Sequence, residues 1–222
     1  MQAALIECRD APFPLWLIHA DGAPLVSALS DAERRRADRF ATRRLRNRYV
    51  AAHAAVRIIV ERYFGLPVSR QRYEVAEHGK FRLAGFPQVQ LSISYSEDLV
   101  LIGVAPGAPI GVDIERVRPV DDALGIASSW FTPQEQAALR AHAPGSAVFD
   151  RLFLALWTRK EACVKAIGRG LSLPLATIDC DIESPVARVR IETSQLRTGN
   201  LEIRSGAFMG AWAQGDVLAL GA

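Results

Sequence analysis

A chain of 222 residues, half of them hydrophobic and 23% charged, can bury a sizeable core as one domain or two compact lobes, which excludes a disordered chain over most of its length. Lys and Arg outnumber Asp and Glu by 27 to 24, so anionic partners are favoured without being specified. Cys8, Cys163 and Cys180 are odd in number and lack a CxxC spacing, which argues against a disulfide framework or a zinc site and fits a reducing compartment. No apolar run reaches membrane-spanning length, and Glu7, Arg9 and Asp10 interrupt any secretory core, so the expected location is the cytoplasm, away from membranes.

Ala3 to Cys8 and Leu15 to His19 read as short strands, separated by a Pro-containing break at Ala11-Pro12-Phe13-Pro14. Ser30-Asp31-Ala32-Glu33 has the form of a capping box and predicts a helix start, followed by Arg34, Arg35, Arg36 and Arg39. A second helix is expected from about Arg43 to Phe64, with Val56, Ile59, Val60 and Phe64 on one face and a stop at Gly65. The arginine run reads either as a solvated face paired with Glu33 and Asp38 or as a phosphate-binding surface, because guanidinium groups bind phosphate oxygens bidentately. Tyr73 to Gly85 reads as two strands around a turn at Glu77 to Phe81.

Asp98 to Ala105 is a compact apolar strand, and Ala105-Pro106-Gly107-Ala108-Pro109 is the expected lobe boundary, giving lobes of 1–105 and 106–222. Beyond it, Ile110, Val112 and Ile114 alternate with Gly111, Asp113 and Glu115, a period of two that places Asp113 and Glu115 side by side on one strand face. Arg116 to Phe131 mixes apolar residues with arginine, as a surface for an acidic partner helix would. Thr132-Pro133-Gln134-Glu135 starts another helix, with Thr as N-cap, Pro at N1 and Glu at N3. The helix from about Val148 to Ile167 sets Trp157, Glu161 and Lys165 four residues apart on one side and ends at Gly168. Strands are expected at 177–182, 187–191, 201–204 and 207–213.

Two carboxylates on one strand face repel each other unless a cation lies between them, and two or three oxygen ligands are the usual protein share of a Mg2+ site. The plain alternatives are a solvent-facing strand for Asp113 and Glu115, and an ordinary i, i+4 ion pair for Glu161 and Lys165.

The order GVDIE, FTPQE (Phe131 to Glu135) and WTRKEACVKAIGRGLSLP (Trp157 to Pro174) resembles the 4'-phosphopantetheinyl transferases of the surfactin-synthetase type, whose signature is GxDxE, FxxxE and WxxKEAxxKxxGxGL. The resemblance implies an α+β fold of two similar lobes with pseudo-twofold symmetry, the first holding the coenzyme A phosphate and adenosine contacts and the second the metal site and catalytic helix. It implies a Mg2+-dependent transfer of the phosphopantetheine arm of coenzyme A to a serine of an apo acyl or peptidyl carrier protein, by a monomer that binds no nucleic acid. By the same resemblance Asp113, Glu115 and Glu161 hold the metal, and Glu161 and Lys165 are catalytic. Arg36, with Arg48 second, meets the 3'-phosphate of coenzyme A, Lys80 lies over its adenosine, and Ser94 and Lys160 are further substrate contacts. Glu135, from the FxxxE element, is a helix-capping residue first and a metal or water ligand second.

Two departures stand out. Phe81 replaces the proline of the family's GKP turn. Tyr95 replaces the histidine of its SxSHS phrase, and a phenol brings no positive charge to phosphate, so that contact is either weaker here or taken over by an arginine. The rival readings are a metal-dependent phosphohydrolase using the same carboxylates and a basic nucleic-acid-binding module without catalysis.

Overall fold

Ser30 performs the role its spacing gives it. Its hydroxyl accepts from the Glu33 amide, and the Glu33 carboxylate accepts from the Ser30 amide at 2.8 Å, which satisfies two free donors at the start of α1 (Asp31–Ala37). Thr42 caps α2 (Arg43–Phe64) with its hydroxyl alone, which accepts from the Leu45 amide, and Gly65, at φ +66°, ends it in the left-handed conformation that glycine adopts without a Cβ penalty. The computed structural model describes residues 3–6, 11–20, 25–76 and 78–216; the expected extension of the first strand to Cys8, and Glu77 in the turn, lie outside them.

The first sheet is antiparallel throughout. It contains β1 (Ala3–Ile6), β2 (Leu15–His19), and, after a separate hairpin of β3 (Tyr73–Val75) and β4 (Phe81–Leu83), the strands β5 (Val89–Ser96) and β6 (Leu99–Pro106). Its order is β1-β2-β6-β5. The Ala-rich face of α2 packs onto it, with Ala51, Ala52, Ala55, Val56 and Ile59 against Trp16, Ile18, Val100 and Ile102.

The second sheet begins with β7 (Ile110–Arg116). Three helices follow, α3 (Ala123–Trp130), α4 (Pro133–Arg140) and α5 (Ala147–Ile167), and then β8 (Val186–Ile191), β9 (Ser194–Ile203) and β10 (Phe208–Gly215). The order is β7-β10-β9-β8, again antiparallel. Helix α5 rests on β7 backbone to backbone, since a Cβ placed on Gly111 would lie 1.9 Å from the Ala162 carbonyl oxygen. Only glycine fits there.

The two sheets meet along β5 and β7, which are not paired with each other. Ser92, Ser94 and Ser96 project from one face of β5, and their hydroxyls accept from the amides of Val112 (2.9 Å), Ile114 (3.4 Å) and Arg116 (2.8 Å). The hydroxyls thus satisfy the free edge of β7 in place of a neighbouring strand. A shared apolar slab lies alongside, with Phe13, Leu15, Leu99 and Leu101 packed against Ile110, Val112, Phe208 and Trp212.

Two expectations need correction. Residues 177–182 form no strand: a 3-10 turn at Leu175–Thr177 precedes an irregular segment whose carbonyls are taken by side chains of α5. Residues 123–130, read from sequence only as part of a mixed apolar and arginine surface, form α3.

Candidate active site

Helix α5 carries charge on two opposite sides. On the rear, Arg159 donates to the carbonyls of Cys180 (2.9 Å) and Asp181 (2.7 Å). Lys160, fully buried, donates to the carbonyls of Leu175 (2.9 Å) and Ile178 (2.5 Å) and pairs with Glu135 at 2.8 Å. Glu135 also closes the Thr132 capping box and accepts from the Cys180 amide at 3.0 Å. Lys160 is therefore not a phosphate contact. Its ammonium is sealed into the packing of the loop behind the helix, and Glu135 is equally occupied.

On the front, Trp157, Glu161 and Lys165 line one pocket with Asp113 and Glu115 of β7 and with Ile93, Ser94 and Tyr95 of β5. The Lys165 ammonium donates to Asp113 Oδ1 at 2.6 Å and to Ser94 Oγ at 2.9 Å. Ser94 in turn donates to the same Asp113 oxygen at 2.6 Å, so its one proton is committed to the aspartate and the expected donation to substrate is not made. Asp113 is 4% exposed, and its second oxygen, Oδ2, is buried with no hydrogen-bond partner. Burial, then the charge of Asp113, pushes Glu115 up to about 7, and the same two causes raise Glu161.

Among the described residues, no three His, Cys, Asp or Glu side chains stand arranged to hold a metal ion. The donor chemistry nevertheless fits a hard divalent cation: an unpartnered buried carboxylate oxygen flanked by two carboxyls whose ionisation is opposed by burial and by the charge of Asp113. Asp113 Oδ2, Glu115 and Glu161 are the atoms such an ion would draw together.

A larger cavity of about 580 Å3 opens from this pocket and shares Ile93, Tyr95, Glu161 and Lys165 with it. Arg36 and Arg48 lie on its walls, their guanidinium carbons 5.7 Å from the ring centre of Tyr49 and 5.3 Å from that of Tyr95. An arginine thus stands over the phenol that replaces the expected histidine, and burial drives that phenol's pKa upward, so it stays a neutral hydrogen-bond donor. Arg48 is anchored to the Glu97 carbonyl at 3.2 Å.

Sequence reading did not single out Tyr49, His53 or Arg57, which lie on or behind the cavity's inner side. His53 lies tilted against Tyr49, ring centres 3.9 Å apart, and meets the edge of Phe81 at 5.0 Å, and its Nδ1 lies 3.0 Å from Glu33 Oε1. Glu33 also accepts from Arg57 at 2.8 Å. Burial alone would raise the Glu33 carboxyl, but hydrogen bonds from His53, Ser30 and Arg57 outweigh it and hold the pKa at about 2. An ionised Glu33 makes Nδ1 of His53 the protonated nitrogen. The i, i+4 spacing of Tyr49, His53 and Arg57 on a helix was the available signal.

Lys80 lines the same cavity, but its ammonium, expected to lie over adenosine, ends among backbone carbonyls of β7 and α5. Burial, then the nearby Arg82 charge, pulls it down to about 7.

The model of the 4'-phosphopantetheinyl transferase superfamily matches residues 109–213, the span that holds β7, α5 and the second sheet. Among similar proteins, the 4'-phosphopantetheinyl transferase ffp of Bacillus subtilis is 30% identical over 174 residues, 78% of this chain and 75% of that protein. The 4'-phosphopantetheinyl transferase HetI of Nostoc sp. is 32% identical over 67% of this chain and 63% of its own length. For the 4'-phosphopantetheinyl transferase Sfp of Bacillus subtilis strain 168 the figures are 31%, 68% and 65%. With the motif residues of β7 and α5 gathered in one pocket, and with relatives matched over most of the chain, this protein belongs to the 4'-phosphopantetheinyl transferase superfamily.

Proposed function

We propose that this chain transfers the 4'-phosphopantetheine arm of coenzyme A to a serine hydroxyl of an apo acyl or peptidyl carrier protein and releases adenosine 3',5'-bisphosphate. The observation that carries the reading is one continuous depression with arginines at one end and a carboxylate cluster at the other, joined through Ile93, Tyr95, Glu161 and Lys165. A nucleotide with a terminal phosphate and a diphosphate has charge at matching places.

The serine oxygen forms a bond to the β-phosphorus while the bond from that phosphorus to the bridging oxygen breaks, and the hydroxyl proton passes to Glu161. Glu161 shares the pocket with Asp113, Glu115 and Lys165, which places its carboxylate to accept that proton. Lys165, tied to Asp113 and Ser94, steadies charge on the departing phosphate. Asp113 Oδ2, Glu115 and Glu161 would hold Mg2+, which when bound offsets the negative charge of the diphosphate. Arg36 and Arg48 take the 3'-phosphate end, with Arg48 supplying the charge that Tyr95 lacks.

The architecture supports a two-lobed reading with a boundary near 105. In each half a strand (β2 or β7) precedes a long helix, and an antiparallel pair follows whose last strand returns beside the first. No helix among the described residues is long and apolar enough to cross a membrane.

The test is incubation with coenzyme A, Mg2+ and a panel of apo carrier proteins, each then weighed by mass spectrometry. One carrier should gain the mass of a single phosphopantetheine. Coenzyme A consumed equally without any carrier would favour a phosphohydrolase and overturn the reading.

A further inference from the structure

Lys80 follows Gly79 in the turn between β3 and β4, and its ammonium donates to three backbone carbonyls: Ile110 at 2.7 Å, Lys165 at 2.6 Å and Ala166 at 3.3 Å. Ile110 opens β7, the strand of Asp113 and Glu115. Lys165 and Ala166 lie in the last turn of α5, where helix carbonyls have no amide of the next turn to accept from. The Val164 carbonyl is satisfied locally by the Gly168 amide at 2.8 Å, which leaves the next two to Lys80. Three acceptors match the three N–H groups of an ammonium, and a positive charge at a helix C-terminus opposes the helix dipole favourably. The stem fits as closely as the head: a Cβ on Gly168, which sits at φ +76°, would come within 3.2 Å of Lys80 Cδ.

We propose that Lys80 is a positioning residue, a latch that fastens the C-terminal turn of α5 to the first residue of β7. It thereby fixes the separation between Glu161 and Lys165 on the helix and Asp113 on the strand. With every N–H engaged by a carbonyl, Lys80 has none left to offer a phosphate or an adenine. This inference rests on the transferase reading for its kinetic consequence, though not for its structural one.

The variant Lys80→Met keeps the stem and removes the ammonium. At saturating coenzyme A the transfer kcat should fall by about 10- to 100-fold, the loss that follows when reacting groups are displaced by an ångström or so. The Kd for coenzyme A, measured by calorimetry without carrier, should stay within about twofold, because no ligand contact is removed. Amide hydrogen exchange over residues 164–168 should accelerate in the variant. That readout needs no turnover, so it tests the latch even if the wild type modifies no carrier. A Kd weakened by about tenfold or more with kcat retained would make Lys80 a ligand contact and overturn the proposal, as would unchanged exchange at 164–168. Should Lys80→Met fail to fold, Lys80→Arg carries the same three measurements: it keeps the charge, but a planar fork cannot serve three carbonyls arranged for a tetrahedral ammonium.

Discussion

Two long helices each cover one four-stranded sheet, yet they do so by different means. Helix α2 approaches its sheet through a stripe of alanines and pairs its buried Arg57 with Glu33 of α1, while its N-terminal end and α1 carry exposed arginines. Residues 30–64 hold ten arginines against two aspartates and two glutamates, a net charge of six, so the rest of the chain is net negative. Helix α5 has no such spacing layer, because Gly111 lets its backbone touch β7. The lesson is a division of precision. Long, mobile guanidinium arms suit a binding end that must find a charged ligand, whereas groups that share a proton and a cation need a helix and a strand locked at backbone contact.

That contrast can be broken most severely at Gly111. Gly111→Ala should cost about 3 kcal/mol or more, because the clash is with backbone, and transfer activity should fall with it; an unfolding free energy from urea titration lowered by less than about 1 kcal/mol would mean that α5 is free to ride outward. On the other side, Arg57→Met should cost about 3 kcal/mol by taking from the buried Glu33 its ion-pair partner and leaving it only the hydrogen bonds from Ser30 and His53, with kcat of the folded fraction retained. Chemical denaturation and active-site titration check both halves of that statement.

The exposed Arg36 should behave oppositely. Arg36→Ala is expected to leave stability within about 0.5 kcal/mol and to weaken coenzyme A about tenfold, an effect that shrinks in high salt. The smallest effect concerns pH. Glu115 at about 7 lies above its ordinary value of 4.5, so between those values the folded chain keeps a proton that the unfolded chain has released. Without metal, its contribution to stability therefore falls as pH rises through that window. Urea midpoints at pH 5 and pH 7.5 should show that slope, Glu115→Gln should shrink it and leave the part that the raised Glu161 contributes, and Mg2+ affinity should rise over the same range because a cation takes only the carboxylate.

Much of the front of the site was legible because it obeys periodicity. A period of two placed Asp113 beside Glu115, a period of four placed Glu161 beside Lys165, and the caps at Ser30, Thr132, Gly65 and Gly168 all stand where their residue types indicated. The serine repeat at 92, 94 and 96 was equally regular, although its partner, the free edge of β7, had no mark of its own. Lys160 and Lys80 were not legible. Both bind carbonyls delivered by segments distant in sequence, and a carbonyl looks the same whatever residue carries it. The irregular run at 177–182 was missed for the same cause, since its backbone is satisfied by Arg159 and Lys160 where a strand partner was expected.

The apolar slab common to both sheets bears on how such a chain can be handled. Severing it at Gly107 would leave Phe13, Leu15 and Leu101 wet on one piece and Val112, Phe208 and Trp212 wet on the other, with the hydroxyl rungs of β5 facing nothing. Neither fragment should stay in solution when made separately, whereas co-production should let them reassemble, and fragment complementation would then report directly on how well the seam fits.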